Sequence, residues 1–591
     1  MGTWLQHFHD NVARGADRPC WRYKSNGRWH VISWREMGDR VRGVAGWLIA
    51  HGLQPGDRVA LWSSTRWEWS LIDLAVVMAG GVTVPIYHTL PLAQGELIVR
   101  EPACRFLFLE LPIEHDFLPQ LHRCALPLEG VIFIDAEATC PQYPTSSLRT
   151  ILTQPQQCIA AYEARWRARQ PDDVVTIVYT SGTTGTPKGV ELTTRNLQAE
   201  IEGLNEAFHL TPGTECLMFL PLAHIVARAM QFFQIEYGLV AAYAESIDTI
   251  GDNLREVAPH FFVGVPRVFE KMEARLREAV AQSPPCKQRL FAWALAMGEC
   301  VSRCREHHQR LSLRLRLGAL LVRLIFRSVH RRLGGRLTFA ISGGAPLPQR
   351  VAQFFASLGV LIIEGYGLTE TTAAVTINQR SDYRFGTVGK PLRGVTVSIA
   401  TDGEILVRGA TVFRGYYRRS EETAAVLDHD GWLHTGDIGQ WSRDGFLRIT
   451  DRKKDLIKTS GGKYIAPQPI EHQLKASPYI SDVIVHGDRE KFLTALIILD
   501  RDAITRYLDR KGMTWATWEE VVRHPAVVAV VQEAIDRVNR GLARWETIKR
   551  FSILERELAV ERGELTPTLK IRRQIAYERY KDHFDRMYRE A

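Results

Sequence analysis

Residues 174–189 constrain this chain more than any other stretch. Val174 to Val178 is an apolar, β-branched run that reads as a buried strand. It leads into Tyr179-Thr180-Ser181-Gly182-Thr183-Thr184-Gly185-Thr186-Pro187-Lys188-Gly189, a loop of glycines and hydroxyls with a lysine near its end. Glycine leaves the backbone open, so successive N–H groups can approach an anion closely. The Ser and Thr hydroxyls add donors, and Lys188 adds a point charge. Strand, anion cradle and lysine, in that order, suit a nucleotide's phosphates. Two plainer readings compete. One is a polar surface loop, whose composition is the same. The other is a Walker-type P-loop, but the G-x-x-x-x-G-K-[ST] spacing is not met.

The surrounding pattern is α/β. Trp34 to His51 has helical spacing, with Val41, Val44, Ala45 and Leu48 on one face and Gly52 as a stop. Arg58 to Trp62 and Gly81 to Ile86 read as strands. Such alternation predicts a mainly parallel sheet with helices on both faces. Thr193 or Thr194 caps a helix to about Phe208. Further strands are expected at 216–220, 260–265, 337–342 and 360–364. Several strands end in glycine- or hydroxyl-rich turns, and three such turns on one sheet would define a ligand cleft. From about Val388 the pattern changes to short strands with Asp402-Gly403, Asp430-Gly431 and Asp444-Gly445 turns, which favour hairpins. The expected organisation is a large domain over 1–450 with a β subdomain from about 388. A charged hinge follows at 451–455, then a smaller α+β domain over 456–591.

With 591 residues the chain can hold several cores. Hydrophobic content of 45% and charged content of 24% are those of a globular protein. The net charge of +9 permits anionic partners without choosing among membranes, nucleic acid and polyphosphates. An RNA- or DNA-binding motif is missing from the pattern, so no nucleic-acid partner is expected. The nine cysteines form no CxxC pair, and a reducing cytoplasm is the default. The first ten residues do not read as a signal peptide.

Lys287 to Arg336 carries twelve Lys or Arg residues against Glu299 and Glu306, with leucines between the arginines. The favoured reading is a solvated helical surface whose arginines lie over a core-facing stripe. The functional alternative is peripheral contact with an anionic membrane.

Taken together, the motifs resemble the adenylate-forming superfamily, which includes acyl-CoA synthetases, luciferases and the adenylation domains of peptide synthetases. The resemblance runs across nearly the whole chain, in family order. After the glycine-rich loop come Pro221-Leu222-Ala223-His224 and Val265-Pro266-Arg267-Val268-Phe269-Glu270-Lys271, the latter resembling the long-chain fatty-acid–CoA ligase branch. Next are Gly343-Gly344-Ala345-Pro346 and Gly365-Tyr366-Gly367-Leu368-Thr369-Glu370. His434-Thr435-Gly436-Asp437, Asp451-Arg452-Lys453-Lys454-Asp455 and Gly563-Glu564-Leu565-Thr566-Pro567-Thr568-Leu569-Lys570 complete the set.

The resemblance implies two half-reactions. A carboxylate attacks the α-phosphate of ATP and releases pyrophosphate; a thiol, that of CoA, then attacks the acyl-adenylate. Two anions meet in the first step, so charge neutralisation is central. In this reading Lys570 bridges carboxylate and α-phosphate, Thr369 donates to that phosphate, and Glu370 holds Mg²⁺. Thr180, Ser181, Gly182, Thr183, Thr184, Gly185, Thr186 and Lys188 hold phosphates. Tyr366 stacks on adenine between Gly365 and Gly367, and Gly344, Ala345 and Pro346 line the base. Asp437 accepts from the ribose hydroxyls, with Arg452 nearby. His224 sits by the acyl carboxylate and the thiol path. Lys458, Gly461, Gly462 and Lys463 guide pantetheine, and Asp451 is the pivot between half-reactions. The expected activity is a long-chain fatty-acid–CoA ligase with fatty acid, ATP and CoA as substrates. One alternative acts on another carboxylic acid or loads a carrier protein; a second is a non-catalytic lipid-binding scaffold. Acyl chain length and oligomeric state are not legible.

Overall fold

The computed structural model describes residues 3–111, 126–135, 137–140, 142–180, 187–460, 463–559, 562–565 and 571–589. Of the expected site residues, Ser181, Gly182, Thr183, Thr184, Gly185, Thr186, Gly461, Gly462 and Lys570 lie outside them. The chain forms two compact units. The first holds residues 1–398, 406–434 and 442–447, and the second 399–405, 435–441 and 448–591.

Two large sheets build the first unit. The eight-stranded sheet runs from edge to edge as 415–416, 188–193, 174–180, 82–86, 58–62, 106–109, 130–133 and 145–147. Its body is parallel and antiparallel pairing closes one side, where Val174–Thr180 meets Lys188–Thr193 with Thr180 opposite Lys188. The strand Val82–Ile86 is buried throughout, as expected of a parallel strand covered on both faces. The nine-stranded sheet runs 390–391, 376–377, 361–366, 339–342, 261–264, 215–218, 240–243, 19–25 and 28–33. The helix Trp34–Ala50 starts at a capping box, Ser33 accepting from the Glu36 N–H and Glu36 accepting from the Ser33 N–H.

The strand leading into the glycine-rich loop therefore belongs to one sheet, while the strands ending before His224, Gly343 and Gly365 belong to the other. Three such turns thus share one sheet, and the glycine-rich loop follows a strand of the other. The sheets are tied internally by a buried polar network. Arg228 and Asp73 are both fully buried, with Arg228 Nε donating to Asp73 Oδ2 at 2.9 Å. Arg228 also donates to the Thr176 hydroxyl on the leading strand. Gln231 donates to Asp73 at 2.8 Å and accepts from Ser70 at 2.7 Å, and Ser70 in turn accepts from Tyr243 at 2.7 Å, on a strand of the second sheet. A buried charge pair of this kind is tolerated only when its remaining polar atoms are satisfied.

The helices Pro285–Glu306 and Leu313–Ile325 form an outer layer. Gly298 allows the first to press on the Ser357 carbonyl, where an added Cβ would lie 2.1 Å from oxygen. Gly318 packs against Met297 in the same close way. The leucines of the second helix do not face the core: Leu313, Leu317, Leu320, Leu321 and Leu324 are all exposed. The core-facing stripe of the sequence reading is carried instead by Gly318, Val322 and Phe326, and the arginines are exposed as expected; periodicity shows that a stripe exists and not which residues point inward. Among the described residues no helix is long and apolar enough to cross a membrane.

The three Asp-Gly pairs sit in turns, with Gly403, Gly431 and Gly445 at positive φ. They belong to a four-stranded sheet of Val395–Ile399, Glu404–Gly409, Leu433–Trp441 and Leu447–Arg452. The rest of the second unit centres on a three-stranded sheet of Ile480–His486, Leu493–Leu499 and Ile548–Ile553. Helices 467–474 and 525–539 pack on one face, and the C-terminal helices on the other.

Candidate functional site

Two predicted elements of the first unit meet through a tyrosine that the sequence reading passed over. Gly415–Tyr416 pairs antiparallel with Lys188–Thr193, placing Tyr416 opposite Val190. The ammonium of Lys188 lies 5.1 Å from the centre of the Tyr416 ring. The Tyr416 hydroxyl donates to Glu370 Oε1 at 2.8 Å. Burial first, and then the neighbouring Glu370 carboxylate, push the Tyr416 phenol well above its ordinary range, so it stays a donor. Lys188 also pairs with Glu422 at 2.5 Å, and Glu422 is bridged by Arg419 at 3.0 Å. A cation from the first sheet and a carboxylate from the second are thus held by one aromatic side chain. Such a pair can neutralise a polyphosphate and hold a hard cation.

Glu370 lies in a short 3₁₀ turn, Thr369–Thr371, fastened by the Thr371 hydroxyl, which accepts from the Leu368 N–H at 2.8 Å. Gly367 is obligatory on steric grounds, since an added Cβ would lie 1.7 Å from the Ala373 carbonyl oxygen. Ala373 and Thr372 both have positive φ. Beneath them, the fully buried Glu200 accepts the Ala374 N–H at 2.8 Å. Burial, opposed by that one backbone bond, drives the Glu200 carboxyl far above the usual range and favours its protonated form.

Gly344 has φ +80°, in the turn after Phe339–Ser342. Opposite Ser342, the buried Glu364 accepts from the Leu347 and Gly386 N–H groups. Burial outweighs those bonds and lifts its carboxyl to about 8. Tyr366 closes the same strand and is half-buried. His224 caps the helix Ile225–Tyr237, its Nδ1 accepting from the Val226 N–H at 3.2 Å. An accepting Nδ1 leaves the proton on Nε2 in the neutral ring.

In the second unit the structure brings Asp437 and Arg452 together. The buried Asp437 carboxylate lies 3.2 Å from Arg452 Nε. They line a cleft of about 310 Å³ with Thr435, Gly436, Lys453 and Lys454. Gly436 has φ +69° and donates to Glu404 at 2.9 Å. Lys453 is held by Asp402 at 2.7 Å and Glu404 at 2.9 Å. Burial, and next the Arg452 charge, lower the Lys454 ammonium. Asp451 is buried and accepts from the Arg452 N–H at 2.6 Å and the Gln468 N–H at 3.3 Å. Burial outweighs these bonds and raises its carboxyl to about 6. Lys458 and Lys463 lie on the hairpin Ile457–Lys458/Tyr464–Ile465, over the rings of Tyr464 and Trp545 at 5.3 and 5.4 Å.

The residues flanking 566–570 are firmly anchored. Leu565 pairs with Ile571. The fully buried Glu564 accepts from Tyr580 at 2.7 Å, and from Arg579, Arg562 and the Ala559 N–H at 3.0 Å. Arg573 holds Glu471 at 2.7 Å and reaches Asp455 at 3.6 Å.

The chain matches the AMP-binding enzyme family over residues 8–417 and the C-terminal domain of AMP-binding enzymes over residues 454–591. The chain belongs to the AMP-binding enzyme family. The long-chain-fatty-acid–CoA ligase FadD15 of Mycobacterium tuberculosis is 36% identical over 98% of this chain and 97% of its own length. The peroxisomal long chain acyl-CoA synthetase 6 of Arabidopsis thaliana is 31% identical over 95% of this chain and 82% of its own. Among solved structures, the adenylation domain of a carboxylate reductase from Mycobacterium chelonae superposes with a TM-score of 0.76 at 22% identity. That match covers 99% of this chain and 91% of the other. ATP-bound MatB from Rhodopseudomonas palustris superposes at 0.70 with 23% identity, over 98% and 99%. Both share the adenylate-forming fold of this α/β chain.

For a member of the AMP-binding enzymes, the motif residues were legible but their supports were not. Tyr416, Glu422 and Glu200 stand 46, 52 and 170 positions from Glu370 in sequence, and no local spacing links them to it. A Gly-Tyr pair in a two-residue strand and one glutamate in a helix carry no signal of their own.

Proposed function

We propose that this protein is an AMP-forming long-chain fatty-acid–CoA ligase. The observation that carries the reading is the joining of Lys188 to Glu370 through Tyr416, in a chain whose full-length relatives bear that activity in their names. In the first half-reaction a carboxylate oxygen of the acid bonds to the α-phosphorus of ATP, and the bond from that phosphorus to the bridging oxygen breaks. Pyrophosphate leaves with the electron pair. In the second, the CoA thiol gives up its proton as its sulfur bonds to the acyl carbon, the bond from that carbon to the phosphate oxygen breaks, and AMP leaves with the electron pair.

Lys188, with Thr180 and the hydroxyls and glycines of Ser181, Gly182, Thr183, Thr184, Gly185 and Thr186, is assigned to the nucleotide's phosphates. Glu370 suits Mg²⁺: it offers a hard carboxylate, oriented by Tyr416, beside a site for phosphate oxygens, and the ion would neutralise their charge there. Thr369 donates to the α-phosphate, and Lys570 neutralises carboxylate and phosphate together. Tyr366, Gly344, Ala345 and Pro346 are assigned to the base. Asp437 takes the ribose hydroxyls, with Arg452 fixing its carboxylate. His224, a neutral ring with its proton on Nε2, is assigned to the acyl carboxylate and thiol path. Lys458, Gly461, Gly462 and Lys463 are assigned to pantetheine. The large domain over 1–450, the pivot at Asp451 and the smaller domain over 456–591 belong to the same proposal, as does a cytoplasmic setting with peripheral membrane contact.

The test is ATP-to-AMP turnover across carboxylic acids of increasing length, with and without CoA. Turnover that needs both a long acid and CoA supports the ligase. Acyl-adenylate that accumulates and is not relieved by CoA points to a carrier-protein acceptor, and no AMP with any acid returns the protein to a lipid-binding scaffold. Lys570→Ala is expected to abolish adenylate formation while sparing thioester formation from supplied acyl-adenylate.

A further inference from the structure

The turn that carries His224 is held from the other large sheet by one hydroxyl. Residues 221–224 follow the strand Glu215–Met218 of the nine-stranded sheet, and the His224 N–H closes the turn on the Pro221 carbonyl at 2.9 Å. Thr65 Oγ1 lies at its base. It donates to the Leu220 carbonyl at 2.7 Å and accepts from the Leu222 N–H at 3.1 Å. Both partners are backbone groups, on either side of Pro221, which has no N–H to give. A hydroxyl can donate and accept at once, so one side chain fixes the entry to the turn from both directions.

Thr65 is itself rigidly mounted. Residues 63–66 follow the strand Arg58–Trp62 of the eight-stranded sheet, and Glu110 follows the neighbouring strand Phe106–Leu109, with Trp62 opposite Leu109. The Glu110 carboxylate accepts from the Ser63 hydroxyl at 2.8 Å, from the Ser64 N–H and hydroxyl at 2.5 and 2.9 Å, and from Arg66 at 3.3 Å. Burial would raise the Glu110 carboxyl, but the bonds from Ser64 and Ser63 outweigh it and hold the group below its ordinary value. Arg66 is held further by Asp135 at 2.6 Å and Glu68 at 2.8 Å. Loops are ordinarily among the more mobile segments of a fold. Here Ser63, Ser64 and Arg66 all bond Glu110, and the remaining side chain, Thr65, bonds the His224 turn.

We propose that Thr65 is the positioning residue of His224 and, resting on the ligase reading for what that ring does, of the acyl carboxylate and thiol path. It precedes His224 by 159 positions and lies outside every motif of the site. On the far side of the turn His224 caps the helix Ile225–Tyr237, whose Arg228 is locked in the buried pair with Asp73. The ring is therefore set between two fixed points, one in the helix and the other the Thr65 hydroxyl. Removing the hydroxyl frees the entry to the turn and lets the ring drift from the position that the reaction needs.

The test uses Thr65→Val, which keeps the shape of the side chain and removes the hydroxyl, with two measurements. The first is the ring ¹⁵N spectrum of the full chain labelled at histidine, with His224 assigned by the loss of its signal in His224→Gln. It involves no turnover, so its failure and the failure of the ligase reading are distinguishable. Thr65→Val is expected to shift the His224 Nδ1 signal more than that of any other histidine, and Thr65→Ser to restore it. The second is a double-mutant cycle in AMP formation. Thr65→Val is expected to lower kcat about tenfold, as for the loss of one or two backbone bonds. The KM for ATP should stay within about twofold, because phosphate, base and ribose are assigned to residues outside 220–224. In the His224→Gln background the same substitution should cost less than about twofold, since residues acting as a unit are not additive. An unmoved His224 signal, equal losses in the two backgrounds, or a Thr65→Ser variant as slow as Thr65→Val would each overturn the proposal. Thr65→Ala removes the same hydroxyl without adding a methyl and carries the same expectations; failure of both variants to fold would overturn the proposal by making Thr65 a folding residue.

Discussion

Replacing Tyr416 by Phe removes one oxygen and tests whether the Lys188–Tyr416–Glu370 arrangement serves the reaction. The lost bond is 2.8 Å long and ends on a carboxylate. Charge-assisted bonds contribute about 1.5–3 kcal/mol. Glu370 is only half-buried, so the lower figure applies, about tenfold in rate at 1.4 kcal/mol per decade. The ring under Lys188 remains after this substitution, and its face still attracts the ammonium 5.1 Å away. Tyr416→Ala removes both contacts and is expected to cost a further few-fold, from about 0.5–1 kcal/mol of cation–π attraction. The assay is pyrophosphate release in the first half-reaction, titrated with Mg²⁺ at saturating acid. The Tyr416→Phe variant should show slower release and need more Mg²⁺, while thioester formation from supplied acyl-adenylate is unchanged. Wild-type release with an unshifted Mg²⁺ midpoint would refute the reasoning, and a lowered melting temperature alone would reduce Tyr416 to a packing residue.

Glu364, with a folded-state carboxyl at about 8 against an ordinary value near 4.5, favours its protonated form in the fold. Its destabilising effect is absent below about pH 4.5, grows as pH rises, and is complete above pH 8, amounting to about 5 kcal/mol by linkage. Glu364→Gln should flatten the fall in melting temperature between pH 6 and 8, and an unchanged slope would refute the assignment. Glu200→Gln should be nearly silent, because burial favours the protonated native carboxyl that the amide resembles. Glu200→Leu strands the buried Ala374 N–H, at a cost of about 2 kcal/mol, and should slow adenylation by loosening the turn against Gly367. Thermal unfolding and AMP formation check both. For Glu564, burial raises the carboxyl, but bonds from Tyr580, Arg579, the Ala559 N–H and Arg562 win and hold it at about 2. Its contribution is therefore fully present above about pH 4.5 and lost as pH falls through 2. Glu564→Gln should destabilise by about 3 kcal/mol at pH 7, read as a lower melting temperature of the 448–591 region.

Element type was legible wherever a local rule operates. Trp34–Ala50, Arg58–Trp62 and Thr194–Phe208 appear within a residue or two of their periodic patterns. Pro266 starts its helix at N1, as its fixed φ demands. The Asp-Gly pairs turn because glycine accepts positive φ. The motifs were legible for a related reason: phosphate and ribose chemistry need particular residue types at short spacing, and short spacing survives in one dimension. Asp437 and Arg452, fifteen positions apart, are paired across one cleft, a pairing that their separate motifs do not spell out.

What the amino-acid order determined by itself was the alternation of strands and helices, the turn chemistry and the family's set of reactive groups. Tertiary structure alone decided the rest. It divided the glycine-rich turns between two sheets, set Tyr416 between Lys188 and Glu370, and buried Glu200 beneath the Gly367 turn. It also turned the leucines of 313–325 outward. The physical reason is the same in each case. Propensity, capping and turn geometry act within a few residues, whereas burial and long-range pairing depend on which surfaces the whole fold brings together. A helical stripe has the same period whether it faces a core or a membrane, and only packing tells which.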